Sequence, residues 1–220
     1  MATVLDDPID KARGYAFEFG MDLANHLPMV LWAMRRLGGS VEDAERFTHH
    51  YLEENKLAAV RPSPGPIEPD RWDDHVGDRA YEGAYRTFFV QELKRLDEDA
   101  LLRHYLPRLA PGLPASALHA LMRLAYAFDA KSTNETAQAL AYWATTYLHL
   151  GGRVGGKPQT NDPVEVLGLI AQEPAFRGIE PERDLLWEFM RSMAQKPEFE
   201  PVYNWLAIDA ETIPKMAHGS

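Results

Sequence analysis

The sequence predicts an all-α protein, a helical bundle of roughly seven to nine helices joined by long Pro/Gly-rich loops. Apolar residues recur at spacings of three and four along most of the 220 residues, whereas the alternating runs typical of strands are scarce. Stretches rich in proline and glycine separate the helix-like segments. An apolar content of 45% is enough to form a core, and the length fits one domain or one domain with an appendage.

The first predicted helix runs from about residue 23 to residue 37 and stops at the pair Gly38 and Gly39. Pro28 lies inside this segment, and a proline disfavours helical geometry at the residue that precedes it. The helix therefore either begins near Leu27 or is kinked beside His26.

Capping residues and apolar spacing predict the next helices. Ser40, with Asp43 three residues later, forms a capping-box pattern that starts a second helix. The segment 61–70 contains four prolines and predicts a loop. Helices are expected after it at 79–96 and 97–105.

Two strong helices are predicted at 115–130 and 132–150, with a break at Lys131. Ser132 and Glu135 form a second capping-box pattern, and so short a junction predicts an antiparallel hairpin.

The glycine-rich segment 151–163 predicts a flexible linker or loop between two parts of the chain. It separates a main helical domain, 1–150, from a C-terminal helical segment, 164–220, which we expect to pack on the same domain. Shorter helices are predicted at 163–172 and 183–195, and the pattern of 204–220 is ambiguous.

Composition excludes several classes of function. A net charge of −10 argues against a nucleic-acid partner, because phosphate binding requires the opposite sign. No stretch approaches the ~20 apolar residues of a membrane span, and the N-terminus lacks a signal-peptide pattern, so we expect a cytoplasmic protein. With no cysteine, a metal must be held by histidine, carboxylate or a modified side chain. No nucleotide-binding, flavin, nicotinamide or hydrolase motif is visible.

Two of the eight histidines, His26 and His119, stand apart because each lies among large apolar residues of a predicted helix. Burying an imidazole without a partner costs about 1–3 kcal/mol, so each needs a hydrogen bond or a metal. Asp22 and Arg123, each four residues away, are the polar neighbours expected on the same helix faces. Hydrogen-bonded core histidines and metal ligands on two helices are both consistent with this pattern. The remaining histidines suit surface or helix-end positions: His49, His50, His75, His104, His149 and His218.

Three sequence motifs occur in a fixed order between about residues 10 and 150. They are "NHLPMVLWAMRRLGG", "LPRLAPGLPASALHALMRLAYAFDA" and "NETAQALAYWATTYLHL". Together they resemble bacterial members of the questin oxidase-like family. The resemblance implies an oxidoreductase that oxygenates or ring-opens an aromatic polyketide-like substrate of the anthraquinone type at a non-haem iron. His26 and His119 match positions of candidate metal ligands, and Asn25, Arg123 and Glu135 match polar positions of the motifs.

The resemblance supports an iron-dependent oxygenase whose aromatic side chains line the pocket of a small aromatic substrate. The residues expected around the metal or in that pocket are polar or aromatic: Asp22, Asn25, Trp32, Arg123, Tyr126, Glu135, Tyr142 and Trp143. For any single one of these aromatic residues, ordinary core packing is the favoured explanation. No residue is identified as the catalytic one.

The alternative is a non-catalytic helical binding or assembly protein, a degenerate or truncated member of the family. Two histidines are an incomplete ligand set for iron, and we expect the chain to lack a further histidine-containing helix found in the family. Three explanations remain open. A partner chain in a homo-oligomer completes the site, other local groups of this chain complete it, or the chemistry has been lost.

Overall fold

The computed structural model describes residue 9 and residues 11–150, 157–180 and 185–207. Helix predominates in these ranges, as the sequence predicts, and the only sheet found within them is a two-stranded hairpin. The hairpin pairs β1, Glu18–Phe19, with β2, Leu23–Ala24. The α-helices are α1 Leu27–Arg36, α2 Val41–Asn55, α3 Glu82–Arg95, α4 Glu98–Leu109, α5 His119–Ala130, α6 Thr133–Thr145, α7 Pro163–Gln172 and α8 Leu186–Ala194. Among the described helices, none is long and apolar enough to cross a bilayer.

Helix α1 begins at Leu27, four residues later than the apolar spacing alone predicts. Pro28 occupies its first turn, where a backbone N–H would have no helical partner. The Asn25 side chain accepts a hydrogen bond from the Leu27 N–H at 3.0 Å and so supplies the cap that the helix needs. Of the two alternatives at this proline, the later start is therefore the one adopted.

Helix α2 starts with the predicted capping box. The Ser40 hydroxyl accepts from the Asp43 backbone N–H, and the Asp43 carboxylate accepts from the Ser40 N–H, each at 3.1 Å. Downstream, the predicted helix at 97–105 continues as α4 to Leu109, with Pro107 inside its last turn.

Helix α5 begins at His119, so the prediction of helix from residue 115 is wrong for the first four residues. Ser116, Ala117 and Leu118 have φ values of 47°, 50° and 71°, a left-handed backbone that cannot belong to a right-handed helix. At the other end, Lys131 has φ 51° and ends α5 at the predicted break. Helices α5 and α6 pack against each other across this short junction and form an antiparallel hairpin.

The main hydrophobic core surrounds α6, which packs on α3, α4 and α5. Every residue from Glu135 to Thr145 is buried, so α6 is enclosed on all sides. Large aromatic side chains from the surrounding elements fill the space: Phe17, Trp72, Tyr85, Phe89 and Tyr105. A second, smaller cluster lies under α1 and α2 and contains Ile9, Ala12, Leu27, Leu31 and Ala44.

The chain divides into two compact units, 1–148 and 149–220. The second unit contains α7 at the predicted position and α8, which is shorter than predicted; residues 183 and 184 of that prediction lie outside the described ranges. A parallel bridge joins Thr160 to Leu206 within this unit. Part of the predicted linker, 151–156, and most of the ambiguous tail, 208–220 with His218, also lie outside the described residues. The packing of the C-terminal segment on the main domain stays a prediction.

Candidate functional site

The structure brings His26 and His119 together. His26 is the residue that precedes α1, and His119 is the first residue of α5. Their ring centroids are 4.8 Å apart with the planes at 77°, and both side chains are half-buried. Two motifs separated by almost half of the sequence thus meet at one point.

Each imidazole of this histidine pair has one nitrogen engaged by the backbone. The His119 Nδ1 lies 2.6 Å from the Ser116 carbonyl oxygen. Because a carbonyl only accepts, Nδ1 carries a proton and Nε2 of the neutral ring keeps its lone pair. The His26 ring hydrogen bonds to the Ala24 backbone, and this bond raises its pKa. Burial and the neighbouring His119 outweigh it, so the pKa of His26 lies below its ordinary value.

This arrangement suits metal ligands or proton acceptors, since a backbone bond on one nitrogen orients the other. A non-haem iron of the two-histidine, one-carboxylate type needs a third protein ligand. Within the ranges that the structure describes, no group of three or more histidine and carboxylate side chains is placed to hold a metal. The histidine pair therefore fits two positions of such a site, and the described residues do not complete it.

A strained turn directly precedes His119 and supports the histidine pair. Ser116, Ala117 and Leu118 are consecutive non-glycine residues in the left-handed region, at a cost of roughly 1–3 kcal/mol each. Such a backbone persists only where its surroundings fix it. The turn directs the Ser116 carbonyl oxygen to His119. The Ser116 hydroxyl is itself held by hydrogen bonds to neighbouring side chains.

The side chains that hold the Ser116 hydroxyl belong to a chain of hydrogen-bonded polar groups. The Tyr142 hydroxyl lies 2.7 Å from the Ser116 Oγ, which donates to the Glu18 carboxylate. Arg79 Nε donates to the other oxygen of Glu18 at 2.6 Å and lies 3.9 Å from the Asp22 carboxylate. Burial raises the pKa of Glu18 above its ordinary value, although Arg79 and the Ser116 hydroxyl oppose the shift.

No sequence motif includes Glu18 or Arg79, and nothing in the second motif, which contains Ser116, singles that residue out. Glu18 is 61 positions from Arg79 and 98 from Ser116, so only the folded chain brings them together. Asp22 also differs from its expected position: with φ 58° it lies in the β1–β2 turn, not on a helix with His26, and it faces Arg79.

The buried side chain of Asn25 fixes the segment that carries His26 through hydrogen bonds. Its amide nitrogen donates to the Ala16 carbonyl at 2.9 Å, and its amide oxygen caps α1 through Leu27. The His26 backbone N–H donates to the Tyr51 hydroxyl at 3.0 Å. These bonds fix where the first imidazole leaves the backbone.

Arg123 and Glu135 form an ion pair with each other one helical turn away from His119. Arg123 Nη2 donates to Glu135 Oε2 at 3.1 Å, and Arg13 Nε donates to Oε1 at 2.5 Å. Arg123, expected as a neighbour of His119, is thus bound to Glu135 of the next helix. Burial raises the pKa of Glu135, but the two guanidinium groups outweigh it and the pKa lies below its ordinary value.

The Arg123–Glu135 pair lines a cavity of about 460 Å³ between α1, α5 and the start of α6. Helices α1 and α5 run in the same direction, since the histidines meet at their starts and Asp129, near the end of α5, lies 3.6 Å from Arg36 at the end of α1 and accepts from Trp32 Nε1 at 2.6 Å. The first described cavity residues on these helices, Pro28 and Arg123, lie two and four positions beyond the histidines.

The predicted aromatic residues fall into two groups. Trp32 and Tyr126 line the cavity. Tyr142 lies in the core, stacked on Phe17 at 4.8 Å, and Trp143 is buried with its Nε1 donating to the Gly112 carbonyl at 2.9 Å. Neither of these two is among the described residues that line the cavity.

Comparison with known proteins bears directly on this region. Residues 23–213 match the sequence model of the family described as Questin oxidase-like. The matched range includes both histidines, the strained turn and the cavity walls formed by α1 and α5, and the family description indicates an oxidoreductase-type function. No curated protein is similar enough to be identified as a relative. Because the match extends over most of the 220 residues, the chain belongs to the questin oxidase-like family.

Proposed function

We propose that the protein is an oxygenase-type oxidoreductase that binds a flat aromatic, polyketide-like molecule of the anthraquinone class and oxygenates or opens one of its rings. One observation carries the proposal: the helices that begin at the histidine pair also form the walls of the cavity. Its volume of about 460 Å³ lies within the ~300–1,000 Å³ typical of small-molecule sites. Trp32 and Tyr126 offer faces on which aromatic rings stack.

In this proposal His26 and His119 hold a non-haem iron, which supplies the activation of dioxygen when it is bound. The described residues supply these two ligands, so a complete iron site needs at least one further ligand, from this chain or from a second copy. The backbone bonds to Ser116 and Ala24 orient the two imidazoles, and the strained turn keeps the Ser116 carbonyl in place. The cavity holds the substrate next to the two helix starts and excludes water from its rings.

A second candidate is a helical binding or assembly protein without catalysis. The incomplete ligand set of the described residues favours it. In that case the two imidazoles are structural, held by their backbone bonds, and the cavity binds a ligand without oxidising it.

Metal content and oxygen incorporation discriminate between the two candidates. We expect protein purified without a histidine tag, then supplied anaerobically with Fe(II), to hold about one iron per assembled site by elemental mass spectrometry. With ¹⁸O₂ and a panel of hydroxyanthraquinones, mass spectrometry should detect a labelled product: two labelled oxygens without a reductant if both atoms are incorporated, or one when a two-electron donor such as ascorbate is added and the other oxygen leaves as water.

His26→Ala and His119→Ala should each lose both the iron and the labelled product. The matched control is His49→Ala, because His49 is exposed on α2 and pairs only with Glu53 among the described contacts. A folded wild type that binds no iron and forms no labelled product would leave the binding protein as the better candidate.

A further inference from the structure

We propose that the cavity beside the histidine pair is a site for an organic anion: an aromatic carboxylate or ionised phenol whose negative charge faces Arg123 and Lys131. This deepens the proposed function, on which it rests only for assigning the cavity to a substrate. The class of ligand follows from the side chains that line the cavity.

The charged side chains on the described part of the cavity wall are predominantly positive. Among the described residues that line it, four are cationic, Arg13, Arg35, Arg123 and Lys131, and one is anionic, Glu135. The whole chain carries a net charge of −10, so this wall is a local exception to an acidic protein. A concave, partly enclosed surface of one sign concentrates its field and attracts ligands of the opposite sign.

The most deeply buried of these cations is rigidly held. Arg123 is 2% exposed and is positioned by Glu135 at 3.1 Å and by the Phe17 ring, which lies 5.0 Å from its guanidinium carbon. Glu135 is shared between two guanidinium groups, because Arg13 also donates to it. One carboxylate between two guanidinium groups leaves this trio of side chains with a net positive charge, and a guanidinium that is already held in place loses little entropy when an anion binds beside it.

The apolar part of the wall selects a flat ligand. The Trp32 ring is fixed by its Nε1 bond to Asp129, and the guanidinium carbon of Arg35 lies 5.0 Å from its centroid. Pro28 and Met29 are buried beside it on the same helix, and Tyr126 stands on α5. An aromatic ring between such side chains buries its faces, while its acidic group remains near the cations.

Two ligands of the same shape test the charge requirement: 2-naphthoate and its neutral isostere 2-naphthamide. We expect isothermal titration calorimetry on the iron-free protein to give about tenfold tighter binding of the naphthoate, with a preference that shrinks as salt is raised. Arg35→Gln and Lys131→Gln should each weaken naphthoate binding severalfold and leave naphthamide binding unchanged.

The matched control is Arg36→Gln, which removes the same charge at the next position of α1. Arg36 is exposed and is not among the described cavity residues, so its loss should change neither affinity. It lies 3.6 Å from Asp129, but the bond from Trp32 Nε1 to Asp129 does not require it. Circular dichroism verifies that each variant is folded.

Equal affinity for the two ligands, or no binding of either to folded wild type, would overturn the inference. So would an equal effect of Arg35→Gln and Arg36→Gln. The result is independent of the proposed chemistry. Selective binding of the anion by a protein that shows neither iron binding nor turnover would refute only the proposed oxygenase activity. Turnover of anthraquinones by a protein that binds naphthoate and naphthamide equally well would refute only the proposed anion site.

Discussion

Among single residues, Glu18 has the least ordinary environment. Its side chain is largely buried, and its carboxylate accepts from Arg79 and from the hydroxyl of Ser116, a residue of the turn that holds His119. The sequence could not reveal this role, because an isolated acid in "YAFEFG" carries no motif and its partners are far away along the chain. His26 and His119, in contrast, were identifiable from their apolar surroundings, whereas the adjacency of their rings depends on the folded chain.

The raised pKa of Glu18 makes stability depend on pH in a defined direction. The native state holds this proton at pH values where the unfolded chain, with an ordinary value near 4.5, has released it. The contribution of Glu18 to stability is therefore fully present below pH 4.5 and is lost as the pH rises through the raised pKa. We expect the unfolding free energy of wild type, relative to Glu18→Gln, to fall as the pH is raised above 4.5 in urea titrations.

Glu54→Gln, at an exposed position of α2, is the control for the loss of one carboxylate. A difference between wild type and Glu18→Gln that stays constant, or grows with pH, would contradict the assigned direction of the shift.

At the scale of elements, local signals set helix boundaries well where the cap residues are local. Helix α2 begins at its capping box, and α7 begins after Asp162 with Pro163 in its first turn, both as predicted. Helix α5 is the exception, because the apolar spacing continues through residues 115–118 while the backbone there turns left-handed. The bonds from Ser116 to Glu18 and Tyr142 hold this turn, and such long-range partners cannot be read from apolar spacing.

The left-handed turn predicts a stabilising substitution. Ala117→Gly should raise the unfolding free energy by about 0.5–1 kcal/mol, since glycine removes the steric cost of φ 50° and loses part of the gain to a more flexible unfolded chain. The same substitution at Ala125, an exposed position inside α5, should lower it by about 0.5–1 kcal/mol. Chemical denaturation of the two variants measures both signs. Destabilisation by Ala117→Gly comparable to that of Ala125→Gly would show that the turn is not strained.

At the scale of the whole molecule, the two compact units differ in how much they bury. The first unit encloses α6 from Glu135 to Thr145 and contains both hydrophobic clusters. In the described part of the second unit, the buried side chains are Leu185 and Glu188, and α7 has none. The sequence predicts both parts as helical, but helical spacing alone does not report how many neighbours each helix has.

This difference predicts unequal protection of backbone amides. We expect α6 amides to exchange with deuterium orders of magnitude more slowly than those of α7 and α8, because opening α6 requires disruption of the main core. Hydrogen–deuterium exchange with mass spectrometry, analysed by peptide, measures both regions in one sample. Equal protection of α6 and α7 would mean that the second unit has a core comparable to the first.

The parallel packing of α1 and α5 has an electrostatic consequence for the two imidazoles. Each helix carries a partial positive charge of roughly half a unit at its N-terminus, and here the two N-termini meet instead of cancelling. A proton added to His26 would be repelled by both dipoles, in agreement with its lowered pKa. The meeting of the two helix starts therefore acts in the same direction as burial and the neighbouring His119 in disfavouring a charged His26.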